Sequence, residues 1–533
     1  MSDMDQPQNA QPNQANKANK DKPRKDKERS KSAEPEIMEK LVSLCKQRGF
    51  IFQSSEIYGG LKSCYDYGPL GTELKRNVKA EWWRAMVLGR EDVVGIDASI
   101  IMHPDVWRAS GHLAGFSDPM VDCKDCKERG RADKWPPVPT GTEVEFKVIV
   151  DHVTGKKETR KAPVGKLGIV CPNCGSPNLS DIRRFNLMFR TSLGSIDPIE
   201  AIAARLENKA LAGEELRKVL AEAIDDSAVY LRPETAQAMF TNFLNVQTSM
   251  RMKPPFGIAQ QGKSFRNEIT VEHFTFRSCE FEQMEMEYFV PPPQYAEEGK
   301  DDMYWFNYWR QERLNWYSSL GLRKEKLRLR DHDASELAHY AKACSDVEYE
   351  YPWGWGELEG IAHRTDYDLK AHEKASGKKL TFFDSQKNAH YHPYVIEPAA
   401  GADRTALAFL IDAYVEEPPP PGTNEGRTVL RLHPRLAPTK VAVFPLVKKD
   451  GMPEIARTIL EKFFKQQIKA MYDEKDTVGR RYRRQDECGT PYCITVDGQT
   501  AQDGTVTIRE RDSMTQERIK VEDAVEVVKK RLA

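Results

Sequence analysis

Between Phe265 and Phe289 the chain sets arginines and glutamates at spacings that could do chemistry. Arg266-Asn267-Glu268 is followed, after a polar loop, by Arg277-x-x-x-Phe281-x-x-x-Glu285. From Met284 to Phe289 apolar and acidic residues alternate, as in a half-buried strand. Met284, Met286 and Tyr288 would share one face, and Glu285 and Glu287 the other, beside Phe281 and Phe289. Carboxylates on a sheet face near arginines hold something cationic. The arginines hold something anionic, and a guanidinium suits bidentate pairing with carboxylate or phosphate. The bland alternative, a surface ion-pair ladder, explains isolated charges better than it explains this full spacing.

A second cluster is Glu397-Pro398-Ala399-Ala400-Gly401-Ala402-Asp403-Arg404, running into Leu407, Leu410, Ile411 and Tyr414. Gly401 permits close backbone approach to a ligand. Arg404 falls in the first turn of a buried helix, where the helix dipole disfavours a cation, so an anionic partner is expected. Two knuckles, Cys123-x-x-Cys126 and Cys171-Pro172-Asn173-Cys174, have the spacing of a closed tetrahedral zinc site with four thiolates. Near the C-terminus Arg480-Arg481-Tyr482-Arg483-Arg484 interleaves arginines with an aromatic. That pattern suits phosphate and base contacts, or a solvated basic turn.

The elements that must position these residues are partly legible. A helix is expected from Thr72 to residue 88, because Leu74, Val78, Trp82 and Met86 recur on one face. A strand run is expected over 93–102, and a hairpin turning at Thr154-Gly155 inside the cysteine-bounded insertion. Helical sequence follows over 197–224, mostly strands over 230–289, an aromatic helix over 302–320, strands over 357–397 and a helix from Asp403. From Val441 a compact α/β module follows: helix 454–467, strands 491–496 and 505–510, and helix 521–531. Residues 1–34 are Gln/Asn-rich and then basic, and read as a disordered tail. The expected units are 1–34, 35–122, 123–178, 179–435 and 436–533.

A chain of 533 residues with 39% hydrophobic residues can pack several cores. Its net charge of −1 means that any nucleic-acid surface must be local. No apolar run is long enough to span a bilayer, and the ten cysteines do not resemble a secreted framework, so a reducing cytoplasm is expected.

The Arg266–Glu285 and Glu397–Arg404 segments resemble motifs 2 and 3 of the class II aminoacyl-tRNA synthetases, and the 72–88 helix with its following strand resembles motif 1. Several strings are more particular: Arg48-Gly49-Phe50 through Ser54-Ser55-Glu56-Ile57-Tyr58-Gly59-Gly60, Tyr65-Asp66-Tyr67-Gly68-Pro69-Leu70-Gly71, Ser110-Gly111-His112, Leu231-Arg232-Pro233-Glu234-Thr235-Ala236-Gln237, and Glu357-Leu358-Glu359-Gly360-Ile361-Ala362. They resemble the homodimeric glycyl-tRNA synthetase family from about residue 37 to the end. The resemblance implies an α+β fold: an antiparallel catalytic sheet flanked by helices, a zinc-ribbon-like insertion and a C-terminal α/β anticodon-binding domain. It implies ATP and Mg²⁺, structural zinc, glycine and tRNA(Gly) as partners, and a cytoplasmic homodimer.

By the same resemblance, Arg266, Arg277 and Arg404 carry catalysis. The ATP site comprises Arg266, Asn267, Glu268, Phe276, Arg277, Ser278, Cys279, Glu280, Phe281, Glu357, Leu358, Gly401, Ala402, Asp403 and Arg404, with Glu357 offering oxygens to Mg²⁺. Glycine is held by Arg108, Glu234, Phe281, Glu282, Gln283, Met284, Glu285, Glu397, Pro398, Ala399, Ala400 and Gly401. Glu234, Glu285 and Glu397 grip its ammonium and leave no room for a side chain. The cysteines Cys123, Cys126, Cys171 and Cys174 hold zinc, and Arg480, Arg481, Tyr482, Arg483 and Arg484 meet tRNA. At Ala399 the chain departs from the family pattern, where a serine often sits.

Two rivals are weighed. A prolyl or threonyl enzyme would share motifs 2 and 3 but not the Arg232-Pro233-Glu234-Thr235 context. A non-catalytic relative, such as the accessory subunit of mitochondrial DNA polymerase, would lack the arginines that are present here.

Overall fold

The computed structural model describes residues 36–532 except 152–155, 195–197, 208–211, 226–227, 270–272, 339–340 and 420–425. The basic tail and the expected Thr154-Gly155 turn lie outside the described residues.

A seven-stranded sheet carries the residues singled out above. Its strands are β1 (Val93–Gly95), β2 (Phe256–Phe265), β3 (Glu280–Val290), β4 (Leu327–Asp331), β5 (Ala343–Tyr351), β6 (Gly354–Thr365) and β7 (Tyr394–Gly401), in the order β4-β5-β6-β7-β3-β2-β1. Every neighbouring pair is antiparallel except β2 with β1. Strand β3 pairs on both sides, with Glu285 opposite Gln260 and Ala399, and β7 also pairs with β6, Glu397 opposite Ala362.

The period-2 alternation expected for β3 separates the two faces. Met284, Met286 and Tyr288 join Ile361, Ile396 and Ala400 in the main core. That core is covered by α1 (Pro69–Trp83), α3 (Asp302–Ser319) and α5 (Ala402–Ala413), and the opposite face is left to the polar residues. Against part of that opposite face packs a second apolar cluster, including Phe240 from α2 (Ala236–Thr241), Leu369 from α4 (Tyr367–Ser376) and Phe289.

Helix α1 buries Leu74, Val78 and Trp82 completely, and Met86 in the turn after it almost so. Each such side chain contributes about 1.5–3 kcal/mol. The helix begins at Pro69 rather than Thr72, because proline is preset for a first helical turn. Gly71 lies against the backbone of Phe50, where a Cβ would come 1.8 Å from the carbonyl oxygen.

Other expectations are corrected. The 93–102 run is split between β1 and a short strand, Ile101–Met102, in a different sheet. The 230–289 span contains the helices Ala236–Thr241 and Phe243–Met250, and 357–397 contains α4. These helices are short elements set between the strands, and Phe240, Phe243 and Leu369 pack them into the apolar cluster that holds Phe289. The helical sequence expected over 197–224 is helical, as Pro198–Leu206 and Gly213–Asp225.

The cysteine pairs are carried by a three-stranded sheet of Arg129–Arg131, Ser117–Asp122 and Arg183–Asn186, with the Glu143–Asp151 and Lys156–Pro163 hairpin attached. The C-terminal module has a five-stranded sheet in the order Ala470–Tyr472, Val441–Pro445, Tyr492–Val496, Thr505–Glu510, Gln516–Lys520, the first three parallel. The segment leading into it is fixed to α1 by Asn77 Nδ2, which donates to the carbonyls of Leu436 at 3.1 Å and Ala437 at 3.0 Å.

Candidate active site

The polar face of the sheet forms the floor of a cavity of about 500 Å³. One end is acidic. Side-chain parity brings Gln283, Glu285 and Glu287 of β3 beside Glu397 and Ala399 of β7 and Ala362 and Arg364 of β6. Carboxylate oxygens of Glu285, Glu287 and Glu397 all lie within 4.8 Å of one another.

Glu234 enters from the loop between the strand Ala228–Leu231 and α2. Arg232 anchors that loop: its buried guanidinium donates to the carbonyls of Lys263 (2.7 Å) and Ala98 (2.8 Å). The next turn is thereby set so that Thr235 N donates to Glu285 Oε2 at 3.0 Å and to Gln283 Oε1 at 3.1 Å, and Thr235 Oγ1 also donates to Glu285. Gln237 Nε2 donates to Glu234 Oε1 (3.0 Å), and His112 Nε2 lies 3.3 Å from Glu234 Oε2. Arg364 donates to Glu397 Oε2 (2.7 Å) and forks onto Asp368 (2.8 and 2.9 Å).

These carboxyls are driven apart electrostatically. Burial alone would raise Glu234, but His112, Arg364 and the Gln237 hydrogen bond hold it far below the usual carboxylate range. Burial, then the charges of Glu397 and Glu234, push Glu285 well above that range. Glu397 is raised by burial against the pull of Arg364. Carboxyl groups outnumber cationic side chains at this end, and those that are raised ionise more readily beside a cation, so the space suits a cationic ligand.

The other end is basic and aromatic. Arg266 lies with its guanidinium carbon 5.3 Å from the Phe116 ring and 5.4 Å from the Phe281 ring, and its Nε donates to the Pro233 carbonyl at 3.1 Å. Arg277 Nε is 3.0 Å from Glu268 Oε2. Arg404, in the first turn of α5, donates to Glu357 Oε1 at 2.9 Å and lies 4.4 Å from the Phe276 ring. Phe276 in turn packs edge-on to Tyr351 and Trp353. Three cations and an aromatic wall suit a polyphosphate joined to a flat base.

Of the residues singled out in the sequence, Glu234, Arg266, Glu268, Phe276, Arg277, Ser278, Phe281, Gln283, Glu285, Glu357, Glu397, Ala399, Ala400, Gly401, Asp403 and Arg404 line this cavity. Others do not. Met284, Leu358 and Ala402 are in the apolar core on the opposite side, and Pro398 shares the Met284 side of the sheet by strand parity. Glu282 is held by Lys75 (2.7 Å) and Lys79 (2.6 Å), and Glu280 by Lys263 (2.6 Å). Cys279 Sγ faces the Glu268 carbonyl at 3.7 Å, and Asn267 contributes its backbone N–H to Leu187. Arg108 pairs with Asp105, both exposed, on the short helix Pro104–Ala109 beside a separate cavity of about 410 Å³.

Sequence reasoning missed Thr275, Cys344, Gly360, Ala362 and Arg364 in the wall, and Asp368 behind it. Arg364 had a signal. It falls on the same strand parity as Ala362 and opposite to Ile361, so a charge was due to face inward.

The four cysteines converge. Cys123 and Cys174 Sγ are 3.6 Å apart, and Cys126 and Cys171 3.5 Å, none in a disulfide. A tetrahedron with metal–sulfur bonds of about 2.3 Å has edges of about 3.8 Å.

The arginine-rich string is a helix, Val478–Cys488, not a turn. Arg481 points inward, donating to the carbonyls of Pro445 (2.6 Å) and Leu446 (3.1 Å), so it has no surface to offer RNA. Arg484 is spent on Asp473 and Asp476, both at 2.7 Å, and Tyr482 OH on Thr495 at 2.6 Å. Arg480 and Arg483 face solvent.

A family model described as Anticodon binding domain matches residues 440–531. The whole chain is similar to the glycine–tRNA ligase of Clostridium tetani, 49% identical over 508 residues that cover 93% of this chain and 98% of that one. It is 50% identical to the enzyme of Ruminiclostridium cellulolyticum over 92% of this chain and 97% of that one.

The chain belongs to the glycine–tRNA ligase family.

A further member, from Streptomyces coelicolor, is 47% identical over 494 residues, 91% of this chain and 96% of its own length. Family membership accounts for both the mixed α/β architecture and the C-terminal module, which is an anticodon-binding domain. No helix among the described residues is long and apolar enough to cross a membrane.

Proposed function

We propose that the 500 Å³ cavity is where this member of the family joins glycine to ATP before transferring it to tRNA. The activity follows from the family: the chain is an ATP-dependent glycine–tRNA ligase, a class II aminoacyl-tRNA synthetase. The site assignment rests on one observation, the convergence of Arg266, Arg277 and Arg404 at one end of the cavity and Glu234, Glu285 and Glu397 at the other.

In this reading the glycine ammonium enters the acidic end and its carboxylate lies toward Arg266. Adenine lies against Phe276, and the triphosphate runs past Arg266 and Arg277 toward Arg404. A carboxylate oxygen of glycine attacks the α-phosphorus, and the bond to the leaving pyrophosphate breaks. A 3′-terminal ribose hydroxyl of tRNA then attacks the glycyl carbonyl and AMP leaves. No protein nucleophile is required; the chain contributes orientation and fixed positive charge. Glu357 presents a half-exposed carboxylate at the phosphate end, a hard oxygen donor fitted to Mg²⁺. When bound, Mg²⁺ would neutralise phosphate charge. A Cβ on the substrate would meet the ring of carboxylates, so the pocket selects glycine by exclusion.

The finer parts of the reading are a zinc ion held by Cys123, Cys126, Cys171 and Cys174, tRNA(Gly) met by the exposed Arg480 and Arg483, and a cytoplasmic homodimer. Its units are 35–122 and 179–435 for catalysis, 123–178 for zinc and 436–533 for the anticodon, with 1–34 as a tail. Metal analysis of the purified chain should find about one zinc per chain and none after Cys123→Ser with Cys171→Ser. Zinc retained by that variant would refute the cysteine site.

The decisive experiment is glycine-dependent ATP–pyrophosphate exchange by the intact chain, Arg266→Ala and Glu234→Ala. Both variants should lose at least about 10²-fold in kcat/KM for glycine. Unchanged activity in both, or alanine used as well as glycine by the intact chain, would overturn the assignment.

A further inference from the structure

Glu287 has no role in the reading above. Its side chain is fully buried, and neither carboxylate oxygen has a hydrogen-bond partner. It lies one step along the same strand face from Glu285, with one of its oxygens within 4.8 Å of an oxygen of Glu285 and one of Glu397. On its other side it is bounded by apolar residues: Ile258 is directly opposite on β2, and Phe289 is two residues on. The charged groups that act on it are Glu397 from β7, Arg364 from β6, Glu285 from its own strand and Asp368 from α4.

We propose that Glu287 is a positioning residue for glycine binding, acting as a neutral acid whose O–H is donated to the Glu285–Glu397 carboxylates and keeps them aimed at the ammonium site. The proposal rests on the reading of this cavity as the glycine pocket.

An ionised, unbonded carboxylate between an apolar cluster and two other acids would lack hydration and sit among like charges, a costly state. The pull of Arg364, which also donates to Glu397 and Asp368, is opposed by burial and by the charges of Glu397, Glu285 and Asp368. As a neutral acid, Glu287 has one O–H to place, and Glu285 and Glu397 each bring a carboxylate oxygen within 4.8 Å as an acceptor. Burial, and then the charge of Glu397, raise its pKa well above the ordinary carboxylate range, in agreement with that geometry. Glu287 thus completes the pocket from below without adding negative charge, and leaves Glu285 and Glu397 free to ionise against the ligand.

Glutamine reproduces a neutral acid in shape and as a donor, whereas leucine does not. The test measures pyrophosphate exchange by the intact chain, Glu287→Gln, Glu287→Leu and Glu285→Gln, with separate KM values for glycine and ATP. Glu287→Gln should keep the glycine KM within about threefold, and Glu287→Leu should raise it at least about tenfold with little change in the ATP KM or in kcat. Infrared difference spectra should contain a protonated-carboxyl stretch that disappears in Glu287→Gln. A Glu287→Gln variant as impaired as Glu287→Leu would overturn the proposal, since it would mean that the ionised carboxylate, or a cation bound to it, is what matters. Glu285→Gln reports on the pocket itself. If its glycine KM is unchanged, the underlying reading fails, whatever Glu287 does.

Discussion

Two groups of charged side chains stood out in the sequence, and the structure uses them in opposite ways. Around Glu234, Glu285, Glu287 and Glu397, carboxylates crowd a buried space with Arg364 as the guanidinium among them. On the Val478–Cys488 helix, by contrast, Arg481 is matched to backbone carbonyls and Arg484 to aspartates. Protein interiors tolerate charge only when it is paired. A buried cluster that is left unbalanced therefore has a partner that arrives from outside, while a balanced one is part of the scaffold. Residue type and spacing alone do not separate the two cases.

The largest expected effects test this contrast from both sides. Arg364→Ala strips Glu397 and Asp368 of their counterion and should destabilise the chain by about 3–5 kcal/mol. Saturating glycine should recover part of the lost melting temperature, because its ammonium supplies the missing charge. Arg481→Ala leaves buried carbonyls without donors and should cost about 2–3 kcal/mol in thermal unfolding, with pyrophosphate exchange retained below the transition. Arg480→Ala should do the reverse: an unchanged melting temperature and a weaker KM for tRNA. If Arg481→Ala weakened tRNA binding without loss of stability, the distinction between buried and exposed arginines would be broken.

The sequence made the cavity legible where chemistry follows strand parity. The alternation from Met284 to Phe289 put Glu285 and Glu287 opposite the core methionines, and that is where they are. The same parity should have excluded Met284 from the ligand side, and applied to β6 it would have found Arg364. Parity could not reveal pairing between distant segments. Glu282 looked available until Lys75 and Lys79 from α1 closed on it, and Arg481 until Pro445 and Leu446 did. Helices α2 and α4 were hidden for a related reason. They are short elements inside strand-rich spans, and Phe240 of α2 and Leu369 of α4 join one apolar cluster with Phe289 and Phe256, a contact between distant segments that a local pattern does not report.

The unmatched cluster also predicts a pH dependence with a definite sign. In the free enzyme burial and the charges of Glu397 and Glu234 push Glu285 well above the usual range, so it holds its proton to a higher pH than an ordinary carboxyl. An incoming ammonium favours the ionised form, and binding therefore expels that proton. The KM for glycine should fall as pH rises, by up to about tenfold per pH unit for one proton released. The fall should end where the free-enzyme group ionises or where glycine loses its own proton. Measuring KM between about pH 6 and pH 9 checks the slope, and calorimetry in buffers of different ionisation enthalpy counts the protons. A flat profile would mean that Glu285 is already ionised, and that the cluster is balanced by something other than its ligand.

The smallest expected effect concerns Ala399, the position where the sequence departs from the resemblance drawn above. The residue lies on the ligand side of β7, opposite Glu285 on one neighbour and Gly360 on the other. Its methyl group therefore borders the acidic end without adding to its charge. Ala399→Ser would add a hydroxyl that donates to a carboxylate or accepts from the ammonium. A single neutral hydrogen bond of this kind is worth about 0.5–1.5 kcal/mol. Glu285 already accepts from Thr235 N and Oγ1, so the gain should lie at the low end. The glycine KM should shift by less than about fivefold, with no change in the rejection of alanine, which depends on the closeness of the carboxylates rather than on this hydroxyl. Exchange assays with glycine and alanine on both forms measure the two quantities separately. A loss of discrimination in Ala399→Ser would move the specificity determinant from the ring of acids to the β7 backbone and its side chain.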